Sequence, residues 1–355
     1  MKILQVIDTL AVGGAEKILV TLANLQYRQG DAVSVLTLLE PGTLAAQLDS
    51  GVPLVPLRRG WKFNPLTMFR FVRIARQFDA LHVHSAHNLR YVFLAARLFH
   101  LKKPIFFHEH YGNIEIDTSV RWDQRWIYPR VTLIGVAQRI CDWAVHRVGV
   151  PAAQVHLLRN IVPEMPFQPR GPSVRGEVSI LVTSNIRRPK HLEFALRVFA
   201  AFRQHQAAKL TIIGQPADPA YLHELKQMVG TYGLAADVQF VHDCTDVQPL
   251  LPHFDLALHT PVSESGPLVL IEYLAQGLPF ISYQTGEVAR MVGEAYPEYV
   301  LDSFDIPRWV NAMQQLLGRD RTLSGASMRQ FYEAHFSETN YYESCKKIYR
   351  SALPS

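Results

Sequence analysis

Residues 254–279 read FDLALHTPVSESGPLVLIEYLAQGLP, and this stretch decides the fold. Its first part, FDLALHT, is an apolar run with the length of a buried strand. Pro267, a following run of good helix formers, and Gly277 before Leu-Pro are the start and stop signals of a helix. The stretch therefore predicts a strand, then a loop that carries Glu264, then a helix that carries Glu272.

The junction between that strand and that helix is a candidate ligand site. In open α/β sheets, ligands bind where strands end and helix N-termini present unpaired N–H groups, here those of Leu268 and Val269. Carboxylates only accept hydrogen bonds, so Glu264 and Glu272 suit sugar hydroxyls better than phosphate. The alternative is a surface glutamate in the loop and a solvated glutamate on the helix. For Glu272 alone, the sequence favours that alternative.

The rest of the chain repeats this order of strand, loop and helix. Strand-like runs alternate with helical sequence on both sides of a proline-rich segment at 163–172, the strongest linker pattern in the chain. Such alternation is typical of parallel sheets. We therefore predict an α/β protein with two Rossmann-like domains that face a cleft, divided at 1–165 and 176–337.

Composition narrows the class of protein. The chain has 355 residues, of which 19% are charged, and its formal net charge is +5. This length allows two domains, and the charge suits phosphorylated ligands or anionic lipid rather than nucleic acid. Three widely spaced cysteines favour a reducing compartment. Without a signal-peptide pattern or a long apolar run, we expect a cytoplasmic protein whose membrane contacts are peripheral.

Two loops carry candidate phosphate-binding groups. Gly13 and Gly14, in TLAVGGAEKI, follow the first strand, where glycines let backbone N–H groups approach an anion. A dinucleotide fingerprint with Glu40 as the ribose acid is the weaker alternative, because its third glycine is missing. The second loop, NIRRPK, could hold a diphosphate without a metal, or could be a solvated basic turn. Its candidate residues are Asn185, Arg187, Arg188 and Lys190.

Histidines and a basic, aromatic segment are the remaining features of the first half. Histidines near strand ends suit zinc, although many such histidines only satisfy local hydrogen bonds, so metal is the minority hypothesis. They are His82, His84, His87, His108 and His110. From 58 onward, arginines and aromatic residues share a predicted helix that could rest on a membrane or simply cover the sheet. The arginines on its outer face are Arg70, Arg73 and Arg76, and further tryptophans for this half are Trp61, Trp122 and Trp126.

Taken together, these motifs resemble those of the GT-B glycosyltransferases, and specifically of retaining glycosyltransferase family 4. The glycine pair, EHYG, the NIRRPK loop and the two glutamates before Gly-Leu-Pro carry the likeness over nearly the whole chain. The resemblance implies that a terminal helix at about 338–355 returns to the first domain. It departs from the family at Asn185, where the family has its phosphate arginine, so that Arg187 or Arg188 would have to substitute.

The resemblance also implies residue roles. Glu264 would bind the donor sugar, Glu272 the ribose, Lys190 the phosphate, and His110 would lie beside the donor sugar and the acceptor. Backbone groups of the loop and helix start would meet the diphosphate and sugar, as Gly13 and Gly14 would from the first domain. That loop and helix start comprise Gly266, Pro267, Leu268 and Val269.

The implied activity is transfer of a sugar from a nucleoside diphosphate sugar, most readily UDP- or GDP-hexose, to an acceptor hydroxyl. The resemblance implies retention of anomeric configuration and no metal or other cofactor. A glycan or lipid-linked glycan of cell-surface polysaccharide synthesis is the expected acceptor, at the inner face of the membrane. The alternative is a GT-B scaffold that lost its diphosphate site at Asn185 and acts as a binding protein. A nicotinamide enzyme and a zinc hydrolase are the other hypotheses.

Overall fold

The protein is described here by a computed structural model that covers residues 1–61, 63–168 and 176–352. It divides into two compact units. Unit 1 comprises Met1–Pro163 and Ser337–Ser355, and unit 2 comprises Glu164–Phe336. The part of the predicted linker at 169–172 lies outside the described residues.

Unit 1 is built on a seven-stranded parallel sheet, counted over the described residues, with the strand order β3-β2-β1-β4-β5-β6-β7. Most of its strand residues are buried on both faces, as expected for a parallel sheet covered by helices. The strands are β1 (Lys2–Ile7), β2 (Ala32–Thr37), β3 (Leu54–Pro56), β4 (Ala80–His84), β5 (Ile105–Glu109), β6 (Thr132–Gly135) and β7 (Val155–Leu157).

The helices of unit 1 come from both ends of the chain. The first five are α1 (Gly14–Arg28), α2 (Pro65–Ala75), α3 (Ala86–Leu98), α4 (Trp122–Ile127) and α5 (Gln138–Trp143), and the last helix of the chain is α12 (Glu338–Ala352). The α12 helix returns to unit 1, where Tyr341, Cys345 and Tyr349 pack in one apolar cluster with Leu22 and Leu25 of α1. The predicted terminal helix is therefore confirmed.

Unit 2 repeats the architecture with a six-stranded parallel sheet among its described residues, ordered β10-β9-β8-β11-β12-β13. Its strands are β8 (Val178–Thr183), β9 (Ala208–Ile213), β10 (Val238–Val241), β11 (Leu256–His259), β12 (Phe280–Tyr283) and β13 (Val300–Leu301). Its helices are α6 (Leu192–Arg203), α7 (Pro219–Thr231), α8 (Leu268–Ala275), α9 (Gly286–Ala295), α10 (Ile306–Leu317) and α11 (Arg321–Phe336).

The decisive stretch folds as predicted. Pro267 is the N-cap of α8, and Gly277 follows its C-terminal end with a φ of 61°, a left-handed conformation that favours glycine.

The prediction of two Rossmann-like parallel sheets is confirmed. The sequence did not predict β3, β7 and β13, which have two or three residues each and lie at sheet edges. Among the described residues, no helix combines the length and the apolar character that crossing a bilayer requires.

Candidate active site

Each sheet has one position where the strand order reverses, between β1 and β4 in unit 1 and between β8 and β11 in unit 2. The connections on the two sides of such a position run to opposite faces, which opens a crevice beyond the carboxyl ends of the strands. Nearly all the candidate residues follow these four strands or the neighbouring β5. We describe unit 2 first and unit 1 separately.

In unit 2, the two loops at the reversal point are joined by an ion pair between Lys190 and Glu264. Only 12% of the lysine side chain and 16% of the glutamate side chain is exposed. A largely desolvated pair is held firmly, and each charge loses much if the other is withdrawn. Neither the basic loop nor the glutamate loop is therefore a simple solvated turn at these two positions.

Backbone and hydroxyl contacts fix the loops on both sides of this pair. The Thr260 hydroxyl donates to the carbonyl oxygen of Lys190 at 3.1 Å, and the Val262 N–H donates to the Pro189 carbonyl oxygen at 3.1 Å. The Glu264 N–H donates to the Thr285 hydroxyl oxygen at 3.0 Å. Burial lowers the pKa of His259, at the end of β11, to about 3, and the Lys190 charge adds to the effect.

Gly286, the first residue of α9, lets that helix approach the glutamate loop. Its φ is 78°, and a Cβ there would lie 3.0 Å from Cδ of Pro267 and 3.1 Å from the carbonyl oxygen of Ser265. That carbonyl accepts a hydrogen bond of 2.7 Å from the Glu287 N–H. The start of α8 is thus held by the start of α9.

Glu272 lies on α8 with only 5% of its surface exposed. The interpretation of Glu272 as a solvated helix residue, which its local sequence favoured, is therefore wrong. A buried carboxylate needs partners that replace water. On the adjacent residue, the Tyr273 hydroxyl accepts a hydrogen bond of 3.2 Å from the Thr183 N–H, which ties α8 to the end of β8.

The basic loop separates its cations. Arg188 is exposed and pairs with Glu224 of α7 at 2.6 Å, with its guanidinium 5.4 Å from the Tyr221 ring centroid. Arg187 is exposed, and it forms no ion pair within the described residues. Asn185 is partly buried. The structure therefore places Lys190 against Glu264 and Arg188 against α7, away from the glutamate loop.

In unit 1, the glycine pair begins α1, with Gly13 as N-cap and Gly14 as the first helical residue. The Glu16 carboxylate folds over Gly13 so closely that a Cβ there would collide with it. Burial raises the pKa of Glu16, and the nearby Asp8 carboxylate acts in the same direction. Asp8 also lies 2.9 Å from Nε2 of His87. We did not predict these carboxylates; the only sequence signal was an Asp directly after the first strand.

Four of the five predicted histidines form one stack at the ends of β4 and β5. The ring centroids of His82 and His84 are 4.6 Å apart, and those of His108 and His110 are 4.3 Å apart. Nε2 of His82 lies 3.2 Å from Nδ1 of His108, and Nδ1 of His84 lies 3.1 Å from Nε2 of His110. His87 lies outside the stack, beside Asp8.

Burial determines the charge of this stack. It lowers the pKa of His82 and of His110 to about 3, and it lowers the pKa of His84 and of His108 well below the usual range. All four rings are therefore neutral near pH 7. Ligand atoms of His82, His84 and His108 lie within 4.8 Å of one another, a grouping that could hold a metal ion. The hydrogen bond between His82 and His108, and those of His84 to Gln5 and His110, account for the grouping without an ion. The absence of a metal requirement stays a prediction.

Three tryptophans predicted for this half are exposed, Trp61 by 75%, Trp122 by 79% and Trp126 by 38%. The α2 helix buries Met68, Phe71, Val72 and Ala75, so it covers the sheet as an ordinary amphipathic helix does. Its outer face keeps Arg70 and Arg73 exposed. Glu40, the ribose acid of the dinucleotide hypothesis, is exposed and lies 3.4 Å from Arg58.

Two family models match the chain and together span most of it. The model described as "Glycosyltransferase Family 4" matches residues 12–164, and the model described as "Glycosyl transferases group 1" matches residues 168–332. The chain belongs to the GT-B glycosyltransferases.

Solved GT-B structures match nearly the whole chain. Anabaena HepE in complex with UDP and glucose gives a TM-score of 0.81 at 17% identity, covering 99% of this chain and 100% of that chain. TarM gives a TM-score of 0.81 at 12% identity, covering 98% of each chain. At these identities, the likeness shows the fold, and the predicted GT-B fold is confirmed.

Curated relatives of this GT-B chain match shorter segments. "Putative glycosyltransferase EpsF" of Bacillus subtilis is 26% identical over 243 residues, which is 61% of this chain and 62% of that protein. An exopolysaccharide phosphotransferase of Streptomyces coelicolor is 25% identical over 214 residues, which is 59% of this chain and 21% of that protein. The match thus spans less than two thirds of the length of either relative.

Glu109, directly before His110, gives a testable pH dependence. Burial raises its pKa to about 7, although the Tyr128 hydroxyl donates to its Oε2 at 2.8 Å. Between about pH 4.5 and 7, the folded state therefore holds a proton that the unfolded state releases, so stability falls as the pH rises. In the unmodified protein, the free energy of unfolding should fall by up to about 3 kcal/mol as the pH rises through this range. We expect Glu109→Gln to abolish this decrease.

Urea unfolding at pH 5 and pH 8 measures this effect. Glu115→Gln, at a half-buried carboxyl six residues away, is the control that keeps most of the pH dependence. Equal pH dependence in Glu109→Gln and in the unmodified protein would show that Glu109 ionises normally.

Proposed function

We propose that the protein is a retaining, metal-independent glycosyltransferase that moves a hexose from a UDP- or GDP-sugar to an acceptor hydroxyl. One observation carries the proposal: the Lys190–Glu264 ion pair lies at the reversal point of unit 2. Glu264 lies four residues before α8 begins. A desolvated cation, a carboxylate and unpaired helix N–H groups then converge where a phosphorylated sugar presents phosphates and hydroxyls.

In this proposal, each group meets the part of the donor that its chemistry fits. The N–H groups of Leu268 and Val269 bind phosphate oxygens at the positive end of α8. Lys190 exchanges part of its contact with Glu264 for the diphosphate, and Glu264 then accepts hydrogen bonds from the sugar hydroxyls. Glu272 binds the ribose hydroxyls. The presence of UDP and glucose in the HepE crystal structure supports a nucleoside diphosphate sugar as the donor.

The reaction then breaks the bond between the anomeric carbon and the diphosphate oxygen. The electron pair leaves with the diphosphate, an oxocarbenium-like centre develops, and the acceptor oxygen forms the new bond as its proton passes to the departing diphosphate oxygen. Lys190 and the α8 amides stabilise the negative charge that develops on the leaving group, which accelerates the step because this stabilisation is greatest in the transition state. No metal ion is needed if these groups supply the positive charge.

The alternative is a binding protein on a degenerate GT-B scaffold, for which Asn185 and the Arg188–Glu224 pair are the supporting observations. Both leave the diphosphate site with fewer cations than a fully basic loop would give. Against it stands the retained, desolvated Lys190–Glu264 pair, whose burial has a cost that a site without a ligand need not bear. We therefore favour the enzyme.

Replacing Lys190 tests the mechanism. We expect Lys190→Ala to lower the rate of nucleoside diphosphate release from UDP- or GDP-hexose by about 100-fold or more, because one charge-stabilising donor is lost. The rate is measured by coupled detection of UDP or GDP in the presence of a chelator.

The matched control is Lys209→Ala in the same unit. Lys209 also pairs with a carboxylate, Asp237, at 2.9 Å, but it lies on β9. Turnover should be unchanged in this control. Wild-type turnover in Lys190→Ala would remove the lysine from the mechanism, and equal losses in both variants would indicate a general loss of structure.

We further propose that the acceptor is lipid-linked and that unit 1 rests on an anionic membrane. The supporting surface, here called the α2 outer face, combines apolar and cationic side chains. Trp61, four residues before α2, is 75% exposed; on α2 itself, Leu66 is 74% and Phe69 48% exposed, and Arg70 and Arg73 are also exposed. Exposed apolar groups next to arginines suit the boundary between acyl chains and anionic head groups. The relation to an exopolysaccharide phosphotransferase supports an acceptor in surface-polysaccharide synthesis.

Vesicle flotation tests this surface. We expect the unmodified protein to float with phosphatidylcholine vesicles that contain phosphatidylglycerol and to remain unbound with phosphatidylcholine alone. A Trp61→Ala, Leu66→Ala double variant should reduce the bound fraction several-fold. Leu323→Ala, which changes a residue of α11 that is 69% exposed, is the control and should bind normally. Indifference to anionic lipid would contradict the proposal and favour a soluble acceptor.

A further inference from the structure

A continuous line of polar side chains crosses unit 1 from His108 on β5, through α12, to His110 directly after β5. Its members lie on β5, β4, α12, α1 and β1 and in the loop after β5, and all but His110 are fully or almost fully buried. In order, the groups are His108, His82, Tyr349, Gln26, Gln5, His84 and His110.

The two glutamine amides give the line its direction, because an amide nitrogen only donates and an amide oxygen only accepts. Nε2 of Gln26 faces the Tyr349 oxygen and Nε2 of Gln5 faces Oε1 of Gln26, so the hydrogen bonds run from Gln5 through Gln26 and Tyr349 towards His82. At the far end, Nε2 of His82 lies 3.2 Å from Nδ1 of His108, which accepts its proton.

Whether each group donates or accepts is determined by the group beside it. Nδ1 of His82 must accept, and the Tyr349 hydroxyl donates to it at 2.6 Å. The Tyr349 oxygen in turn accepts from Nε2 of Gln26 at 3.1 Å, and Oε1 of Gln26 accepts from Nε2 of Gln5 at 2.9 Å. A line running the other way would require both amides to turn over, so that each amide oxygen stood where its nitrogen stands now.

The last two links determine the state of His110. Oε1 of Gln5 lies 2.9 Å from Nε2 of His84, and an amide oxygen only accepts, so His84 donates from Nε2. Nδ1 of neutral His84 is therefore an acceptor and receives Nε2–H of His110 at 3.1 Å. Nδ1 of His110 is left with a lone pair, and it has no hydrogen-bond partner among the described residues.

We propose that Tyr349 and Gln5 are positioning residues that act through His84 to hold His110 as the Nε2–H tautomer, with Nδ1 kept as an acceptor for a ligand hydroxyl. The proposal rests on the proposed function for the identity of that ligand, a sugar of the donor or the acceptor. In this proposal, the C-terminal helix α12 also determines proton positions, because its Tyr349 hydroxyl links His82 and His108 to Gln26, Gln5 and His84.

The physical consequence is selectivity for hydrogen-bond donors. A histidine free to exchange tautomers can present either N–H or a lone pair to a ligand. Here, reversing His110 would require every group up to Tyr349 to turn, or would leave a buried polar group unpaired, which carries a free-energy cost. A nitrogen that only accepts then orients a hydroxyl by its proton and offers nothing to a carbonyl or phosphate oxygen.

Tyr349→Phe is the direct test, because it removes the one hydroxyl that joins the two halves. With selectively ¹⁵N-labelled histidine, long-range ¹⁵N–¹H correlation spectra report which ring nitrogen carries the proton. The His110 signals are assigned by their absence in His110→Gln. We expect a single Nε2–H pattern for His110 in the unmodified protein and a mixture of both tautomers in Tyr349→Phe.

Tyr341→Phe is the matched control. Tyr341 is a buried tyrosine of the same helix and the same apolar cluster, and its hydroxyl has no hydrogen-bond partner among the described residues. Its replacement should leave the His110 pattern unchanged. Gln5→Met, which cuts the line between Gln26 and His84, is a second variant and should give the same mixture as Tyr349→Phe.

Kinetics supply an independent measurement. With the UDP- or GDP-hexose that supports turnover, Tyr349→Phe should lower kcat by about tenfold, as expected for one misplaced hydrogen bond, with little change in the donor KM. An Nδ1–H pattern in the unmodified protein, or an unchanged pattern in both Tyr349→Phe and Gln5→Met, would overturn the relay. If no sugar donor is turned over, the proposed function fails, and the tautomer pattern still decides the relay.

Discussion

The parallel pairing of β8 with β11 is the constraint on which the candidate site of unit 2 depends. Leu256 pairs with Ile180 and Ala257 with Leu181, so the two strands end side by side. The chain reaches β11 only after it has built β9 and β10 on the other side of β8. The loops that follow β8 and β11 therefore emerge at the same edge, and Lys190 meets Glu264 although 74 residues separate them. The ion pair is a consequence of sheet topology.

Unit 1 uses the same topology for a different electrostatic purpose. Behind its reversal point, between β1 and β4, lie neutral imidazoles and amides, while Asp8 places a carboxylate at the end of β1. Burial makes protonation of these histidines unfavourable, so the interior tolerates them only as a satisfied hydrogen-bond network. Unit 2 instead keeps a charged pair at its reversal point. The two units thus offer different chemistry: unit 2 a desolvated lysine with carboxylates, and unit 1 a network of neutral donors and acceptors beside the Asp8 carboxylate.

The sequence predicted those parts of the structure that local chemistry determines. The bounds of α8 follow from Pro267 and Gly277, and buried parallel strands such as β8 stand out as apolar runs. Edge strands of two or three residues give no periodicity to detect. The burial of Glu272 depends on what packs around α8, and its neighbours in the sequence could not reveal it. The Asp8–His87 pair is another contact that only the fold brings together.

The histidine stack illustrates the same limit within one site. Two-residue spacing placed His82 with His84 on one face of β4, and that prediction is confirmed. The partners that determine proton positions, Gln5, Gln26 and Tyr349, come from distant segments and carry no motif. The sequence pattern was therefore compatible with a hydrogen-bond network and, as the minority hypothesis, with a zinc site. The distances between specific nitrogens and oxygens support the hydrogen-bond network, and the absence of a metal requirement stays a prediction.

The central claim is that unit 2 binds a nucleoside diphosphate without a metal ion, and a thermal-shift panel tests it most directly. UDP, GDP, ADP, dTDP and NAD are each added to the unmodified protein and to Glu272→Ala, with and without a chelator. At about a hundred times the dissociation constant, a bound ligand stabilises the fold by roughly 2.7 kcal/mol. The account predicts a chelator-independent shift with UDP or GDP that is weakened in Glu272→Ala. No shift with any nucleoside diphosphate, or a shift with NAD alone, would contradict it.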